Sequence, residues 1–445
     1  MNSISVFGIG KLGLPLAACL ANKGYQVIGV DLNQSVLKAV NEGKSPYYEP
    51  GLAELVKSAK GHLSATDDYR YALQNSEISF IVVPTPSEAD GSFSTKYVGT
   101  AAEQIAAELK NKNGFHVVVL TSTVLPGITE GVVKPLLEKI SGKRCGLDFG
   151  LCYSPEFIAL GSVIRDFMNP DVVLIGESDP KSGELLAEIY RNVCENQPPI
   201  VRTTIYNAEL AKISLNAFIT MKITFANTLA EIAEKIPGGD ATVISQMLGF
   251  DSRIGRKYLT GSLAYGGPCF PRDNKAFTSV ARRFGCQVKL SLATDEVNQE
   301  QINRIVRFIE QKLSGAKGKS IAILGLTYKP NTDVVEESAP VKIAFNLRQQ
   351  GAKLSVYDPA GMGNAQKVLG EENIHYANSV AECLKDSEFC LLATPWDEFK
   401  SLKPEDFTAD MKQPLLLDCW RIYDRSEFSQ KMEYLAIGLN SGRET

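Results

Sequence analysis

The sequence has few of the residues from which zinc sites and disulfide frameworks are built. Only three histidines occur among 445 residues, and His62, His116 and His375 are far apart in the chain. The nine cysteines are an odd number, and no two of them form a C-x-x-C pair. We therefore expect neither a bound metal nor a disulfide framework.

Long apolar runs and an excess of either charge are also absent. No apolar stretch reaches the roughly 20 residues that span a bilayer, so no membrane association is expected. Met1 leads directly into an apolar segment without a basic leader, which favours a cytoplasmic location. The formal net charge of −4 disfavours nucleic acid as the main partner, because phosphate backbones attract basic surfaces.

The composition is that of a globular protein with more than one domain. Hydrophobic residues make up 44% of the sequence and charged residues 22%, without a low-complexity tract. A chain of 445 residues exceeds one ordinary core and predicts two or three domains.

The first part of the chain alternates strand-like and helix-like segments. Strands are predicted at Ile4–Phe7, Gln26–Val30, Ile78–Val83 and His116–Leu120. Helices are predicted at Leu14–Ala21, Gln34–Glu42 and Thr100–Leu109. Such a βαβ series is typical of a parallel sheet that is covered by helices.

A long helix and a second α/β series follow. Apolar residues at helical spacing predict a helix over 206–235. The second series has strands at Lys319–Leu324, Lys353–Tyr357 and Phe389–Ala393, with a helix near Val341–Gln350. We predict an α/β fold of two Rossmann-type, doubly wound parallel-sheet domains joined by a long central helical region, with domain limits 1–200, 201–310 and 311–445.

A glycine-rich turn follows the first predicted strand. Gly8, Gly10 and Gly13 form a G-x-G-x-x-G pattern between a strand and a helix, the context in which this pattern binds a dinucleotide. Asp31 ends the second strand, where a carboxylate can accept both ribose hydroxyls and repel a 2′-phosphate. The cofactor is therefore predicted to be NAD. The alternative is a glycine turn and a solvent-facing aspartate without a cofactor.

The most informative segment is Tyr265–Asp273, which reads Y-G-G-P-C-F-P-R-D. Its glycines and first proline predict a turn, and Pro271 suits the first position of a helix. Cys269 would then lie at the positive end of that helix, where a thiolate is favoured. Without further context, a cysteine in such a loop is more often a small buried hydrophobe.

This segment resembles the G-G-S-C-F-P-K-D signature of the UDP-glucose/GDP-mannose dehydrogenase family, and the resemblance extends over essentially the whole chain. It implies that Cys269 is a catalytic nucleophile and that Asp273 helps to place a water. It also implies that Arg272 contacts the cofactor, and that Tyr265 and Gly266 contact the substrate.

Three further segments carry the resemblance in the first half. Thr123 in a S-T-V segment is implied to place the hydrolytic water and, together with Thr85, to contact the cofactor. Glu156 in a P-E-F segment is implied to be a general acid or base that also contacts the substrate. Lys212 and Asn216 share a helix face and are implied to hold the sugar and a developing oxyanion. Read alone, these residues would be a strand-end hydroxyl, an exposed acid and a solvated polar face.

The second half of the chain contributes residues for the nucleotide and for a partner subunit. Lys329, in G-L-T-Y-K-P, matches a lysine that meets the substrate's diphosphate. Arg253 matches an arginine that reaches the substrate of a neighbouring subunit, which implies a homodimer. Arg421 is assigned to the uridine side. Four positions depart from the family pattern: Leu160, Val172, Glu336 and Trp420.

The resemblance implies a four-electron oxidation of the C6 primary alcohol of a nucleotide sugar, with UDP-glucose as the favoured substrate and UDP-glucuronate as the product. The intermediates would be a thiohemiacetal and then a thioester on Cys269. Other UDP-sugars and GDP-mannose remain alternatives. So do a two-electron hydroxyacid dehydrogenase, which needs no cysteine, and a non-catalytic sugar-nucleotide-binding protein, which would be expected to lack Cys269 or Lys212.

Overall fold

The computed structural model describes residues 2–440, which form two compact units. The first unit contains the residues up to Leu215 together with Ser279–Gly285. The second contains Asn216–Thr278 and the residues from Cys286 onward. The first boundary falls inside the predicted long helix. The threefold division at 200 and 310 stays a prediction.

The first unit is built on an eight-stranded sheet of order β3-β2-β1-β4-β5-β6-β7-β8. Neighbouring strands are parallel, except that β6 and β7 are antiparallel. The strands are β1 Ser3–Phe7, β2 Gln26–Val30, β3 Leu63–Thr66, β4 Ile78–Ile81, β5 His116–Leu120, β6 Phe149–Tyr153, β7 Val173–Glu177 and β8 Ile200–Thr203. The helices are α1 Gly13–Asn22, α2 Gln34–Asn41, α3 Leu52–Ser58, α4 Tyr69–Gln74, α5 Lys96–Leu109, α6 Lys134–Ser141, α7 Val163–Met168 and α8 Pro180–Val193, with a π-helical turn Thr129–Val133 before α6.

The inner strands of this sheet, such as β1, β4 and β5, are mostly apolar because both faces of the sheet are covered there. Residues that alternate along β1, such as Val6 and Phe7, belong to different core clusters. A parallel sheet that is covered on both faces needs such near-continuous apolar strands, since neither face meets water. This is why short apolar runs in the sequence identified β1, β2, β4 and β5.

Two helices contain residues of both units. They are α9 Ile205–Lys235 and α11 Phe270–Arg283. The observed bounds of α9 confirm the long helix that was predicted at 206–235.

The second unit is built on a six-stranded, fully parallel sheet of order β11-β10-β9-β12-β13-β14. Its strands are β9 Ser320–Leu324, β10 Lys353–Tyr357, β11 Ile374–Tyr376, β12 Phe389–Leu392, β13 Leu415–Asp418 and β14 Glu433–Ala436. Its helices are α10 Ala241–Phe250, α12 Lys289–Leu313, α13 Ala339–Gln349, α14 Met362–Leu369, α15 Val380–Leu384, α16 Asp397–Lys400, α17 Pro404–Asp410 and α18 Arg425–Phe428.

Apolar clusters cover both faces of the second sheet as well. One of them includes Ala230 and Ala233 of α9 and Ile305 and Ile309 of α12. The predicted fold class, two doubly wound α/β domains with a long central helix, is confirmed. No strand was predicted between the end of β5 and the start of α9, where β6, β7 and β8 lie.

Candidate active site

The glycine-rich turn between β1 and α1 has the geometry of a phosphate-binding loop. Gly8 has φ +93°, and a Cβ there would lie 2.3 Å from the Val82 carbonyl oxygen. A Cβ on Gly13 would lie 1.8 Å from the Gly8 carbonyl oxygen, so the turn can close only with glycine. Gly10 faces open space, since a Cβ added there would have no other atom within 4 Å.

The amino end of α1 faces this turn without a side-chain cap. The positive end of a helix dipole favours an anion, so this helix start suits a pyrophosphate, and the Leu14 amide itself donates to the Gly10 carbonyl over 3.0 Å. Asp31, directly after β2, accepts hydrogen bonds from the amides of Ile9, 3.1 Å away, and Asn33, 3.0 Å away. Its carboxylate therefore lies beside the glycine turn, and the four predicted residues fit a dinucleotide.

The loops after β4 and β5 are tied to each other. The Thr85 hydroxyl donates to the Thr123 carbonyl over 2.8 Å. The Ser122 hydroxyl accepts from the Val83 amide at 2.8 Å and donates to the Val83 carbonyl at 2.7 Å. Because β1, β4 and β5 are parallel neighbours, these loops share one edge of the sheet with the glycine turn. In an open α/β sheet, ligands bind at this edge where the strand order reverses.

Glu156 follows β6 and has the most strongly altered environment among the predicted site residues of the first unit. Burial raises the pKa of Glu156 to about 7, although the Lys212 charge and a hydrogen bond from Tyr190 act in the opposite direction. Its Oε1 atom is buried and accepts no hydrogen bond from the described residues. A carboxyl group that titrates near neutral pH can both take up and release a proton.

Lys212 lies against the same loop. Its ammonium group donates to the Glu156 backbone carbonyl and lies 5.0 Å from the centroid of the Phe157 ring. The structure therefore brings together Glu156 and Lys212, which are far apart in the sequence. Tyr190, which contacts Glu156, was missed by the sequence analysis because it occupies a regular buried position of the amphipathic helix α8.

Cys269 lies immediately before α11, and its side chain is exposed. The Asp273 amide donates to the Cys269 carbonyl over 2.8 Å, which closes the first turn of the helix. Pro271 is the second helical residue, one position later than predicted. The predicted placement of Cys269 at the positive end of a helix is confirmed, and this placement favours a thiolate.

Three predicted residues form a cluster beside this helix start. Asp273 is 1% exposed, and its carboxylate accepts from the Asn216 amide at 2.6 Å. The Arg272 guanidinium lies 3.3 Å from the other oxygen of Asp273. One aspartate thus fixes an amide from α9 and a guanidinium from α11 in the second unit.

The glycines before Cys269 pack closely against a second loop, which connects β9 to α13. A Cβ on Gly266 would lie 2.2 Å from the Glu337 carbonyl oxygen, and one on Gly267, at φ +81°, would lie 2.6 Å from the Tyr328 ring. The Gly267 amide donates to the carbonyl of Glu336, one of the four departures. Lys329, which is half-buried, follows Tyr328 in this second loop.

Tyr265 is buried, and its hydroxyl donates to Asp295 at 2.6 Å. Burial, followed by this hydrogen bond, raises the pKa of Tyr265. Asn298 accepts from its amide at 2.8 Å and donates to its carbonyl at 3.0 Å. Tyr265 therefore holds the start of the cysteine loop in place, a role that the sequence did not indicate.

Arg253 and Arg421, the other two arginines predicted for the site, form ion pairs. Arg253 lies on the loop after α10 with 86% of its side chain exposed, and it pairs with Asp251 at 2.6 Å. Arg421 follows β13 and donates to Asp240, which precedes α10, at 2.9 Å. The Asp240 carboxylate raises the pKa of Arg421 through this hydrogen bond. The structure does not bring Arg253 and Arg421 into the cluster around Asp273.

Neither a metal site nor a membrane-spanning helix is found between residues 2 and 440. No group of three or more histidine, cysteine, aspartate or glutamate side chains in this range is arranged to hold a metal ion. No helix in the same range is long and apolar enough to cross a bilayer. The cytoplasmic location stays a prediction.

Comparisons with known proteins give matches along nearly the whole chain. Three models of the UDP-glucose/GDP-mannose dehydrogenase family match it: the NAD binding domain at residues 2–194, the central domain at 206–300 and the UDP binding domain at 322–425. These matches confirm the predicted family, the oxidoreductase class and NAD as the cofactor.

Individual relatives match most of the chain. A UDP-glucose 6-dehydrogenase of Haloferax volcanii is 38% identical over 95% of this chain and 98% of its own length. A GDP-mannose 6-dehydrogenase of Pseudomonas aeruginosa is 35% identical over 85% of this chain and 86% of its own. The solved structure of a UDP-glucose dehydrogenase from Pyrobaculum islandicum has a TM-score of 0.90 at 32% identity, covering 99% of this chain and 98% of that one.

Proposed function

The chain belongs to the UDP-glucose/GDP-mannose dehydrogenase family, and we propose that it oxidises the C6 primary alcohol of UDP-glucose to the carboxylate of UDP-glucuronate. The observation that carries the four-electron reaction is the exposed Cys269 at the start of α11, next to the cluster of Asn216, Arg272 and Asp273. A two-electron dehydrogenase has no need of a nucleophile at this position.

The choice of UDP-glucose rests on the relatives and on the second unit. The relative from Haloferax volcanii and the solved structure carry UDP-glucose in their names, and residues 322–425 match a UDP binding domain. Another UDP-sugar or GDP-mannose is the alternative, since a GDP-mannose 6-dehydrogenase is 35% identical. A non-catalytic binding protein is disfavoured because Cys269, Lys212 and Asn216 are all present.

In the first half of the reaction, the alcohol becomes an aldehyde and the Cys269 thiolate adds to its carbonyl carbon, which gives a thiohemiacetal. Bound NAD supplies the hydride acceptor, and four electrons require two NAD molecules in succession. The Lys212 ammonium and the Asn216 amide are the proposed donors to the oxyanion that forms at each stage. Gly8, Gly10, Gly13, Asp31, Thr85, Thr123 and Arg272 are the proposed cofactor contacts.

In the second half, the oxidised adduct is a thioester, which water must hydrolyse. Water gives one proton to Glu156 and its hydroxide adds to the thioester carbonyl, and the carbon–sulfur bond then breaks, which restores the Cys269 thiolate and releases the carboxylic acid. The acid loses its remaining proton to solvent and becomes the carboxylate. Thr123 and Asp273 are proposed to place this water. The pKa of Glu156, raised to about 7 by burial, suits a base that works near neutral pH.

The substrate contacts that we propose come from several segments. Lys329 contacts the diphosphate, and Arg421 lies on the uridine side. Tyr265 and Gly266 line the sugar, together with Glu156, Lys212 and Asn216. Because the Tyr265 hydroxyl is bonded to Asp295, the ring of Tyr265 rather than its hydroxyl is the part proposed for the sugar.

We propose a homodimer in which Arg253 reaches the partner's substrate. An exposed apolar face in the second unit supports this assembly, because large exposed apolar patches mark interfaces. Phe218, Phe225 and Ile232 of α9 follow one another at intervals of seven, and each is at least 50% exposed. Val243, Met247 and Phe250 of α10 are at least 60% exposed. Light scattering should give twice the chain mass; a fully active monomer would exclude Arg253 from the site.

The stoichiometry of NADH tests the proposed reaction directly. We expect two NADH per sugar consumed, and UDP-glucose should have the highest kcat/KM in a panel of UDP- and GDP-sugars. A ratio of one would contradict the thioester mechanism. A different preferred sugar would change the substrate and leave the mechanism standing.

Cys269→Ser should separate the two halves of the reaction. Serine is a far poorer nucleophile and leaving group than a thiolate, so acid formation should fall by at least about 10³-fold. A first NADH should still form, since hydride removal from the alcohol needs no sulfur. Cys286→Ser is the matched control, because Cys286 is also exposed but follows the carboxyl end of the same helix. Undiminished acid formation by Cys269→Ser would make Cys269 a packing residue.

A further inference from the structure

Glu209 is a buried acid that the proposed reaction does not use. It lies on α9 with 0% exposure. Its carboxylate accepts from the Gly127 amide at 2.6 Å and from the Thr129 amide at 2.8 Å. Burial raises the pKa of Glu209, and the hydrogen bonds from Thr129 and Gly127 oppose this effect.

The Gly127 amide belongs to the loop that follows β5 and carries Thr123, and the Thr129 amide begins the π-helical turn after that loop. This loop leads from the end of β5 into the π-helical turn Thr129–Val133. The start of that turn has no side-chain cap from its own segment. Backbone amides at a helix start need an acceptor, and a negative charge is favoured there. Glu209 supplies both from a different part of the chain.

Glu209 also lies one helical turn before Lys212. Residues three apart on a helix are neighbours on one face. The Lys212 ammonium donates to the Glu156 carbonyl in the loop after β6. A single turn of α9 is thus bonded to both of the loops that carry Thr123 and Glu156.

We propose that Glu209 is a positioning residue that fixes the loop of Thr123 relative to Lys212. This inference rests on the proposed function, in which Thr123 places the hydrolytic water. Glu209 itself touches neither substrate nor cofactor in this proposal. Its two hydrogen bonds limit the movement of the Thr123 loop, and that loop determines where the water is held.

Hydrogen exchange tests the two hydrogen bonds of Glu209 to the Gly127 and Thr129 amides without any substrate. Glutamine keeps the size of Glu209 and one acceptor oxygen, but its NH₂ group would face one of the two amide donors. In Glu209→Gln, the amides of Gly127 and Thr129 should exchange about 10-fold faster or more, and Glu209→Ala should have a larger effect.

The chain offers a matched control for this measurement. Glu49 is also buried, and its carboxylate accepts from the Gly161 amide at 2.7 Å and from the Val163 amide at 2.8 Å. Glu49→Gln should speed exchange at Gly161 and Val163 and leave Gly127 and Thr129 unchanged. Unchanged exchange at Gly127 and Thr129 in Glu209→Gln would overturn the proposal.

Kinetics then separate positioning from a purely structural role. In Glu209→Gln, kcat should fall about 10- to 100-fold while KM for the sugar nucleotide changes little, since misplacement of a reacting group costs rate more than binding. The thioester on Cys269 should accumulate during turnover, as seen by intact-protein mass spectrometry. Faster exchange with an unchanged kcat and no accumulated thioester would also overturn the proposal.

The proposed function can fail separately. If the wild-type protein oxidises none of the sugars in the panel, the reaction is wrong. The exchange rates of the Gly127 and Thr129 amides still test whether Glu209 restrains the loop of Thr123, because they require no substrate.

Discussion

The two sheets begin with the same arrangement and use it differently. In each, the first strand is followed by a glycine with a positive φ, Gly8 at φ +93° after β1 and Gly325 at φ +94° after β9. In each, the next parallel strand is followed by an aspartate, Asp31 after β2 and Asp358 after β10. An amide of the glycine loop donates to that aspartate in both sheets.

The surroundings of the two aspartates differ. Asp31 is half-exposed and accepts from two amides. Asp358 is 2% exposed, and both of its carboxylate oxygens accept several hydrogen bonds. The donors are the amides of Leu326, Thr327, Ala360 and Gly361, the Thr327 hydroxyl and the Trp396 indole.

The helices after the two glycines differ as well. In the first unit α1 begins at Gly13, so its amino end faces the turn. In the second unit α13 begins only at Ala339, after the long loop that contains Lys329. One topology therefore gives an open nucleotide loop in the first unit and a loop held by a buried aspartate in the second. The donors around the acid, rather than the strand order, decide which form results.

The largest effect that we expect is on folding, from Asp358→Ala. Removal of this carboxylate leaves several buried donors without their acceptor, so the free energy of unfolding should fall by about 3–5 kcal/mol. Asp31→Ala should cost less than about 1 kcal/mol, since Asp31 is half-exposed and has two donors. Urea unfolding of both variants gives the two values. Equal losses in the free energy of unfolding would show that the two aspartates stabilise their units to the same extent.

The second prediction concerns the cofactor. NAD should be preferred over NADP by about 100-fold in kcat/KM, because the Asp31 carboxylate would face the 2′-phosphate with like charge. Asp31→Ser should reduce this ratio to about 10 or less. Asp358→Asn is the control and should leave the ratio unchanged. Wild-type protein that uses both cofactors equally would exclude Asp31 from the ribose site.

The third prediction compares the interiors of the two sheets under acid. In the first sheet the Ser5 hydroxyl bonds to Ser79 at 2.7 Å, and Ser79 bonds to His116 at 2.8 Å. In the second sheet, Ala322 and Cys390 occupy the corresponding register positions of β9 and β12. Burial lowers the pKa of His116 to about 3.

Because the unfolded chain takes up this proton near pH 6.5, the contribution of neutral His116 is complete above about pH 6.5 and is lost as the pH falls toward about 3. By pH 5 the loss should be about 2 kcal/mol. Between pH 7 and pH 5, the free energy of unfolding of His116→Gln should fall by about 2 kcal/mol less than that of the wild-type protein. His375→Gln, which replaces an exposed histidine of the second unit, should retain the wild-type slope.

The smallest expected effect comes from Gly10→Ala. There is room for a methyl group, so folding should be nearly unchanged, but the methyl would occupy the space into which a pyrophosphate must approach. KM for NAD should rise about 10-fold. Gly363→Ala, in α14 of the second unit and also with open space beside it, should leave KM for NAD unchanged. Unchanged KM in Gly10→Ala would place the cofactor elsewhere.

The elements that were predicted well are those with a local cause. The bounds of β2 and β5 match the predicted segments, because a strand buried on both faces must be apolar along nearly its whole length. The bounds of β10 match as well, because buried Leu354 and Val356 alternate with more exposed residues, which is the other strand pattern. The site predictions that the structure brings together also have local signals. Cys269 and Asp273 belong to one helix start, and Thr85 and Thr123 belong to neighbouring parallel strand ends.

The sequence by itself determined the alternation of strands and helices, the glycine turn, the family motifs and hence the kind of chemistry. Only the tertiary structure decided which carboxylates stay accessible to a ligand and which are buried with their oxygens fully hydrogen-bonded. Nothing local distinguishes Asp31 from Asp358, or marks Tyr190, Glu209 and the Asp240 partner of Arg421, because their donors and acceptors come from distant segments. A side chain's burial and hydrogen bonds depend on contacts between such segments, and these exist only once the sheets and helices have packed.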